Sequence, residues 1–210
     1  MHLSCHANSL HSSQGDNSMH MFKRAALGLT LAALPLAGVM VATGHDGFSS
    51  SNVAAQVGRV CIQDNTGGVY SNEVSQSISS VWNPRVKNVQ LAACSGGITV
   101  TAVASHPSGS HYQGDMRGHG SVVIDRSQVN QGYLPLRVVA HEIGHGLGLY
   151  DNYSGPCSEL MSGGGPGTSC KNAYPNAAEV NQVNQIWAGS LRNAGPGEVT
   201  LVFPTARDAK

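Results

Sequence analysis

His141-Glu142-Ile143-Gly144-His145 sets two imidazoles four residues apart, and this spacing constrains the fold more than any other feature of the chain. On an α-helix, positions four apart lie about 40° from each other around the axis, so both rings face one point. Two neutral ring nitrogens held this way suit a zinc ion. Glu142, turned about 100° from His141, can reach a water at the metal without ligating it. Val138, Val139, Ile143, Leu147 and Leu149 form an apolar flank. The segment Leu134–Leu149 must therefore be a helix docked on a sheet, with its histidines turned into a cleft.

A catalytic zinc takes a third protein ligand and keeps one open position. Gly148, three residues beyond His145, lets the chain leave the helix through a left-handed conformation. Asp151 arrives three residues later, placed to swing back toward the metal. Glu159 and Glu179 are rival third ligands; Glu179 sits on the next expected helix, as in zinc peptidases completed by a distant glutamate. The glycine turn favours Asp151. His106, His111 and His119 are expected at the surface or on an edge strand rather than as extra ligands, and Asp125 is expected to cap a strand end.

The segments around this motif alternate. Gln56–Ile62 is short, β-branched and closed by the turn Asp64–Gly68, which predicts a strand. Val74, Ile78, Val81 and Trp82 make the apolar stripe of a helix, which Ser71 or Asn72 is placed to cap and Asn83-Pro84 to end. Val86–Ala92 and Gly97–Ala104 read as strands, so strand, helix and strand suggest a right-handed crossover with parallel pairing. A short antiparallel edge strand is expected near His111–Met116, and a further strand over Ser121–Asp125. A third helix follows from Ala177, Val180, Val183, Ile186 and Trp187. The expected fold is α+β: a mixed, mostly parallel twisted sheet of four to five strands and three helices, one carrying the zinc motif. One β-like run, Val199–Phe203, lies in the tail 193–210 and has no evident purpose in the sequence.

Charge excludes other classes. Twelve Lys and Arg balance twelve Asp and Glu, and 11% of residues are charged, so the basic face of a nucleic-acid binder is missing. Lys23 and Arg24 precede the apolar run Ala25–Ala42, which is interrupted by Pro35 and followed by the small residues Thr43 and Gly44. This is the pattern of a secretory signal peptide over 21–44 rather than a membrane anchor, so the mature chain is expected outside the cell and off the membrane. Residues 1–20 read as a mis-assigned or disordered extension, 45–54 as a short pro-segment or linker, and 55–192 as the folded domain. Cys5 falls in the extension. Cys61, Cys94, Cys157 and Cys170 remain, an even set that suits an exported protein with two disulfides and three connectivities. Cys157 and Cys170 flank a Gly-rich loop and form the natural local pair, which leaves Cys61 with Cys94.

HEIGHGLGLYD followed by CSELMSGG resembles the metzincins, with their extended HExxHxxGxx(H/D) motif and methionine turn. Asp in the last position and the short CSELMSGGGPG…C loop resemble the snapalysin family, the small secreted neutral proteases of peptidase family M7. The resemblance is densest over Val138–Trp187. It implies a metzincin-like fold and a zinc endopeptidase, with zinc held by His141, His145 and Asp151, Glu142 as general base and Met161 in the turn. It also implies the Cys157–Cys170 bridge, a role for Tyr153 in steadying the transition state, and a preference for an aromatic or bulky apolar residue just after the cleaved bond. From the residues alone, Tyr153 serves equally as an aromatic wall of the cleft, and Met161 as core filler. Leu134-Pro135-Leu136 stand where members of the family can hold calcium through oxygen side chains, which puts a calcium site in doubt.

The expected chemistry is peptide hydrolysis by a zinc-activated water with Glu142 as base, acting on a protein or peptide laid extended along the exposed edge near His111–Met116. A monomer is expected. The alternatives are a peptidase with Glu179 as ligand, and a secreted binding module stapled by a structural zinc.

Overall fold

The computed structural model describes residues 57–189 and 197–203. The expected extension, signal peptide and pro-segment lie outside the described residues, as does most of the tail. Six strands form one sheet: β1 (Gly58–Asn65), β2 (Val89–Ala93), β3 (Ile98–Val103), β4 (His111–Gly114), β5 (Gly120–Asp125) and β6 (Val199–Val202), in the order β2-β1-β3-β5-β4-β6. The pairs β1–β2, β1–β3 and β3–β5 are parallel, while β4 runs antiparallel to both β5 and β6.

Along β1 the even positions Gly58, Val60 and Ile62 are buried, whereas Arg59 is exposed. This period of two puts one face of the sheet into the core. Val89, Leu91, Ile98, Val100, Val122 and Ile124 continue that buried face across the neighbouring strands. Helix α1 (Ser71–Gln76) runs directly into a wider π-turn, Ser77–Trp82, and this continuous segment links β1 to its parallel neighbour β2. Asn83 then locks the crossover by exchanging two hydrogen bonds with the backbone of Leu91. A short helix α2 (Arg126–Asn130) precedes α3 (Pro135–Gly146), and α4 (Ala177–Ile186) follows the long loop. Both disulfides form: Cys61–Cys94 ties β1 to the end of β2, and Cys157–Cys170 closes the loop after α3.

Three expectations change. Neither Ser71 nor Asn72 caps α1: Tyr70 holds the cap position, and the Ser71 hydroxyl bonds Asp64 instead. Asp125 does cap, as the start of the unexpected α2, its carboxylate accepting from the Ser127 amide at 2.7 Å. The third concerns β4, which is antiparallel as expected but has no exposed edge. The β-like run of the tail has become β6 and covers it, so the sheet has six strands.

Candidate metal centre

Helix α3 carries the HEIGH sequence, and its packing explains the glycine inside it. A Cβ on Gly144 would lie 2.9 Å from Met161 Sδ and 3.0 Å from Trp82 Cζ2. The helix can therefore settle onto both only where no side chain intervenes. Trp82 fixes the contact by donating its indole N–H to the Ala140 carbonyl at 3.2 Å. At the other end, Gly148 takes φ +105°, its amide donates to the His145 carbonyl, and the Leu149 amide donates to the Gly144 carbonyl. These are the two bonds of a Schellman cap. The chain reverses there and carries Asp151 back toward the helix.

His141, His145 and Asp151 come together, with one ligand atom from each lying within 4.8 Å of the others. His141 Nε2 is 3.1 Å from His145 Nε2 and 3.1 Å from Asp151 Oδ1; His145 Nε2 is 3.5 Å from Asp151 Oδ1. Each imidazole donates its Nδ1 proton to a backbone carbonyl, His141 to Leu160 at 3.1 Å and His145 to Leu149 at 2.7 Å. A neutral ring that donates from Nδ1 has a bare lone pair on Nε2. Burial holds His141 toward that neutral form, while Asp151 pulls the other way. Burial also opposes ionisation of Asp151, but the adjoining His141 and His145 outweigh it and hold the carboxyl below the usual range.

Three acceptor atoms thus face one another in a buried space. A proton between them satisfies one edge of the triangle, whereas a cation satisfies all three. Four-coordinate zinc with bonds of about 2.0–2.1 Å would set its ligand atoms about 3.3 Å apart, close to the spacing found. Asp151 Oδ1 has no hydrogen-bond partner among the described residues. Its other oxygen accepts from the Tyr153 phenol at 3.0 Å. The residues therefore fit a small divalent cation.

Glu142 is fully buried on α3, and neither of its carboxylate oxygens has a hydrogen-bond partner among the described residues. Burial pushes its carboxyl well above the ordinary value, and the negative charge of Asp151 adds to the rise. Such a carboxylate is costly unless positive charge lies close to it.

Glu179 stands apart from this group. Its oxygens accept from the amides of Met161 (2.7 Å), Leu160 (3.1 Å) and Asn176 (2.6 Å), so it shapes the turn beneath the histidines and caps α4. Glu159 bonds the Asn152 side chain. The His106 and His111 rings meet at a tilt of 41° with centroids 4.4 Å apart, and His119 pairs with Asp115. None of these joins the three-residue group.

Sequence reasoning missed Arg137. One turn before His141 and 1% exposed, it donates to the carbonyls of Gly163, Asn172 and Glu159 and to the Ser162 hydroxyl, all at 2.7–2.8 Å. Burial lowers its pKa to about 10, with Glu179 opposing the shift. It pins the Met161 turn to α3. The available signal was an arginine on an otherwise apolar helix face.

The chain matches the model of the Streptomyces extracellular neutral proteinase (M7) family over residues 60–190. Among curated proteins, it is 53% identical over 117 residues to an extracellular small neutral protease of Streptomyces sp. (strain C5), covering 55% of this chain and 51% of that protein. It is 50% identical over 126 residues to the protein of the same name from Streptomyces lividans, covering 60% and 55%. With the Streptomyces caespitosus protein of that name it shares 48% over 119 residues, 57% of this chain and 89% of the relative. The matched part spans about half the length of the first two relatives. The aligned region takes in the whole of α3, the Met161 turn and α4, and on that match the chain belongs to the Streptomyces extracellular neutral proteinase (M7) family.

Proposed function

We propose that this chain is a secreted zinc endopeptidase that cleaves protein and peptide substrates. The observation that carries the reading is the set of three buried acceptor atoms on His141, His145 and Asp151, converging with no donor among them, beside a buried carboxylate that has no hydrogen-bond partner among the described residues. Relatives named as extracellular neutral proteases support the activity and the export, and a signal peptide over 21–44 belongs to the same reading. A folded domain over 55–192, a monomeric state and a preference for aromatic or bulky apolar residues after the cleaved bond belong to the same reading.

His141 Nε2, His145 Nε2 and Asp151 Oδ1 would hold the zinc. When bound, zinc supplies Lewis acidity, polarising the peptide carbonyl and lowering the pKa of water toward neutrality. The Leu160 and Leu149 carbonyls keep both rings in the tautomer that presents Nε2. Glu142 takes a proton from the attacking water on a carboxylate oxygen and delivers it to the amine nitrogen of the leaving strand. With no hydrogen-bond partner among the described residues, both oxygens are available for that transfer. Tyr153 orients Asp151 through its phenol and lines a cleft of ≈ 580 Å³ together with His106, Asp125 and Gln128.

Glu142→Gln tests the assignment. The variant should bind one zinc per chain and lose casein hydrolysis; turnover at the parent rate would refute the role of Glu142. A structural zinc in a binding module would leave both forms without proteolytic activity.

A further inference from the structure

The outer edge of β4 is where an extended peptide would add a strand, and the chain's own tail lies there. Val199, Thr200, Leu201 and Val202 pair antiparallel with Gly114, Gln113, Tyr112 and His111. The backbone bonding continues past the strand. The Phe203 amide donates to the Ser110 carbonyl at 2.7 Å, and Gln128 Nε2 donates to the Phe203 carbonyl at 3.2 Å. Gln128 itself is held by the Ser110 amide, which donates to its Oε1 at 2.7 Å. Main-chain bonds of this kind hold a peptide whatever its sequence, and side-chain pockets then select it.

One side chain of the segment is held more tightly than the rest. Val199, Leu201 and Val202 are only partly buried, whereas the Phe203 ring is 1% exposed. That ring meets the His141 imidazole edge to face at 5.0 Å and the Tyr133 ring at 5.5 Å. An aromatic side chain thus rests directly on a candidate metal ligand, at the end of a strand bound through its backbone. Val202 and Phe203 also line the cleft that Tyr153 borders. The segment lies beyond residues 60–190, so the region shared with the family does not include it.

We propose that residues 199–203 are a tethered peptide seated in the place of an extended substrate, so that the tail restrains the chain's own cleft. Ser110, Gln128, Tyr133 and the β4 edge are then the groups that receive an incoming peptide. This inference rests on the reading of the site as an endopeptidase cleft. Seven residues separate Gly189 from Gly197, a short tether that gives an effective concentration on the order of millimolar. Substrate must displace the tail, which raises KM by the inverse of the fraction of molecules in which the tail is out.

The test compares the full chain with a form ending at residue 192 and with full-length Phe203→Gly, each checked for zinc content and near-ultraviolet circular dichroism. On a fluorogenic peptide both altered forms should show KM lowered about tenfold with kcat unchanged, as for a tail seated nine-tenths of the time. A synthetic peptide of residues 197–203 should inhibit the shortened form competitively, with an inhibition constant about tenfold higher against the full chain. Equal KM in folded, zinc-loaded forms, with no competition by the peptide, would overturn the proposal. If the shortened form does not fold, Phe203→Gly decides: an unchanged KM with only a lower Tm makes β6 purely structural. Calorimetric binding of the peptide to the shortened Glu142→Gln protein separates the two readings. Binding there, and binding about tenfold weaker to the full chain, upholds the tethered peptide even if no form proteolyses anything.

Discussion

The phenol of Tyr153 donates to Asp151 Oδ2 at 3.0 Å, which leaves Oδ1 facing the two histidines. A residue two positions from a candidate ligand thereby orients that ligand. Tyr153→Phe should weaken zinc retention about tenfold, the low end of the range for partners that orient a metal ligand. Competition against a calibrated chelator measures it; unchanged affinity with reduced kcat would instead give the phenol a role on substrate.

Asp151 and Glu179 should behave differently on removal. Asp151→Ala should abolish stoichiometric zinc binding. Glu179→Ala should retain zinc but strand the amides of Leu160, Met161 and Asn176, at about 1–3 kcal/mol for each donor left without an acceptor or water. Zinc analysis and urea unfolding of the two variants distinguish these outcomes, and loss of zinc in Glu179→Ala alone would favour the distant-glutamate arrangement.

Gly148→Ala should damage both stability and the metal centre. Its φ of +105° is strained for any residue with a Cβ, and that Cβ would come within 2.8 Å of Ile186 Cδ1 and 3.0 Å of Arg117 Nη1. The backbone conformation costs about 1–3 kcal/mol, and relief of the contacts would shift Asp151. The expected result is a lower unfolding midpoint together with weaker zinc binding.

Arg137→Leu should destabilise the chain on the order of 3 kcal/mol, because four acceptors around the Met161 turn lose a charged donor. Chemical denaturation gives the size. The visible-region spectrum of a cobalt-substituted form should broaden as the turn beneath the histidines loosens.

Acid should weaken the fold through Asp115. Burial alone would raise its carboxyl, but the amides of Arg117 and His119 and the His119 ring outweigh burial and hold it below the ordinary value. The unfolded chain then binds the proton more readily. This stabilisation is full above the ordinary carboxylate value of about 4 and is lost as pH falls through the lowered folded-state value. With EDTA present throughout, Asp115→Asn should melt below the parent at pH 6, and the gap should close as the pH drops below about 4.

The helix that carries His141 and His145 was legible because its information is local. The spacing of His141 and His145, the glycine at 148 and the return of Asp151 follow from helix geometry and from the one residue that tolerates φ +105°. The strands of the parallel core were readable for the same reason, through runs such as Val60–Ile62 and Val122–Ile124. Arg137 was not: a charged residue on an apolar face declares its purpose only when carbonyls from residues 159, 163 and 172 surround it. Glu179 was a rival to Asp151 in the sequence, and its bonds to the amides of Leu160 and Met161 could not be read there, because they join segments almost twenty residues apart.

The sequence by itself determined which side chains come together at the end of this helix and in what order along the chain, since that depends on bond geometry within one turn of helix and one loop. Tertiary structure alone decided what lies across the β4 edge. Strand pairing between residues 111–114 and 199–202 joins backbones almost ninety residues apart, and backbone hydrogen bonds carry no side-chain signature from which a partner could be read.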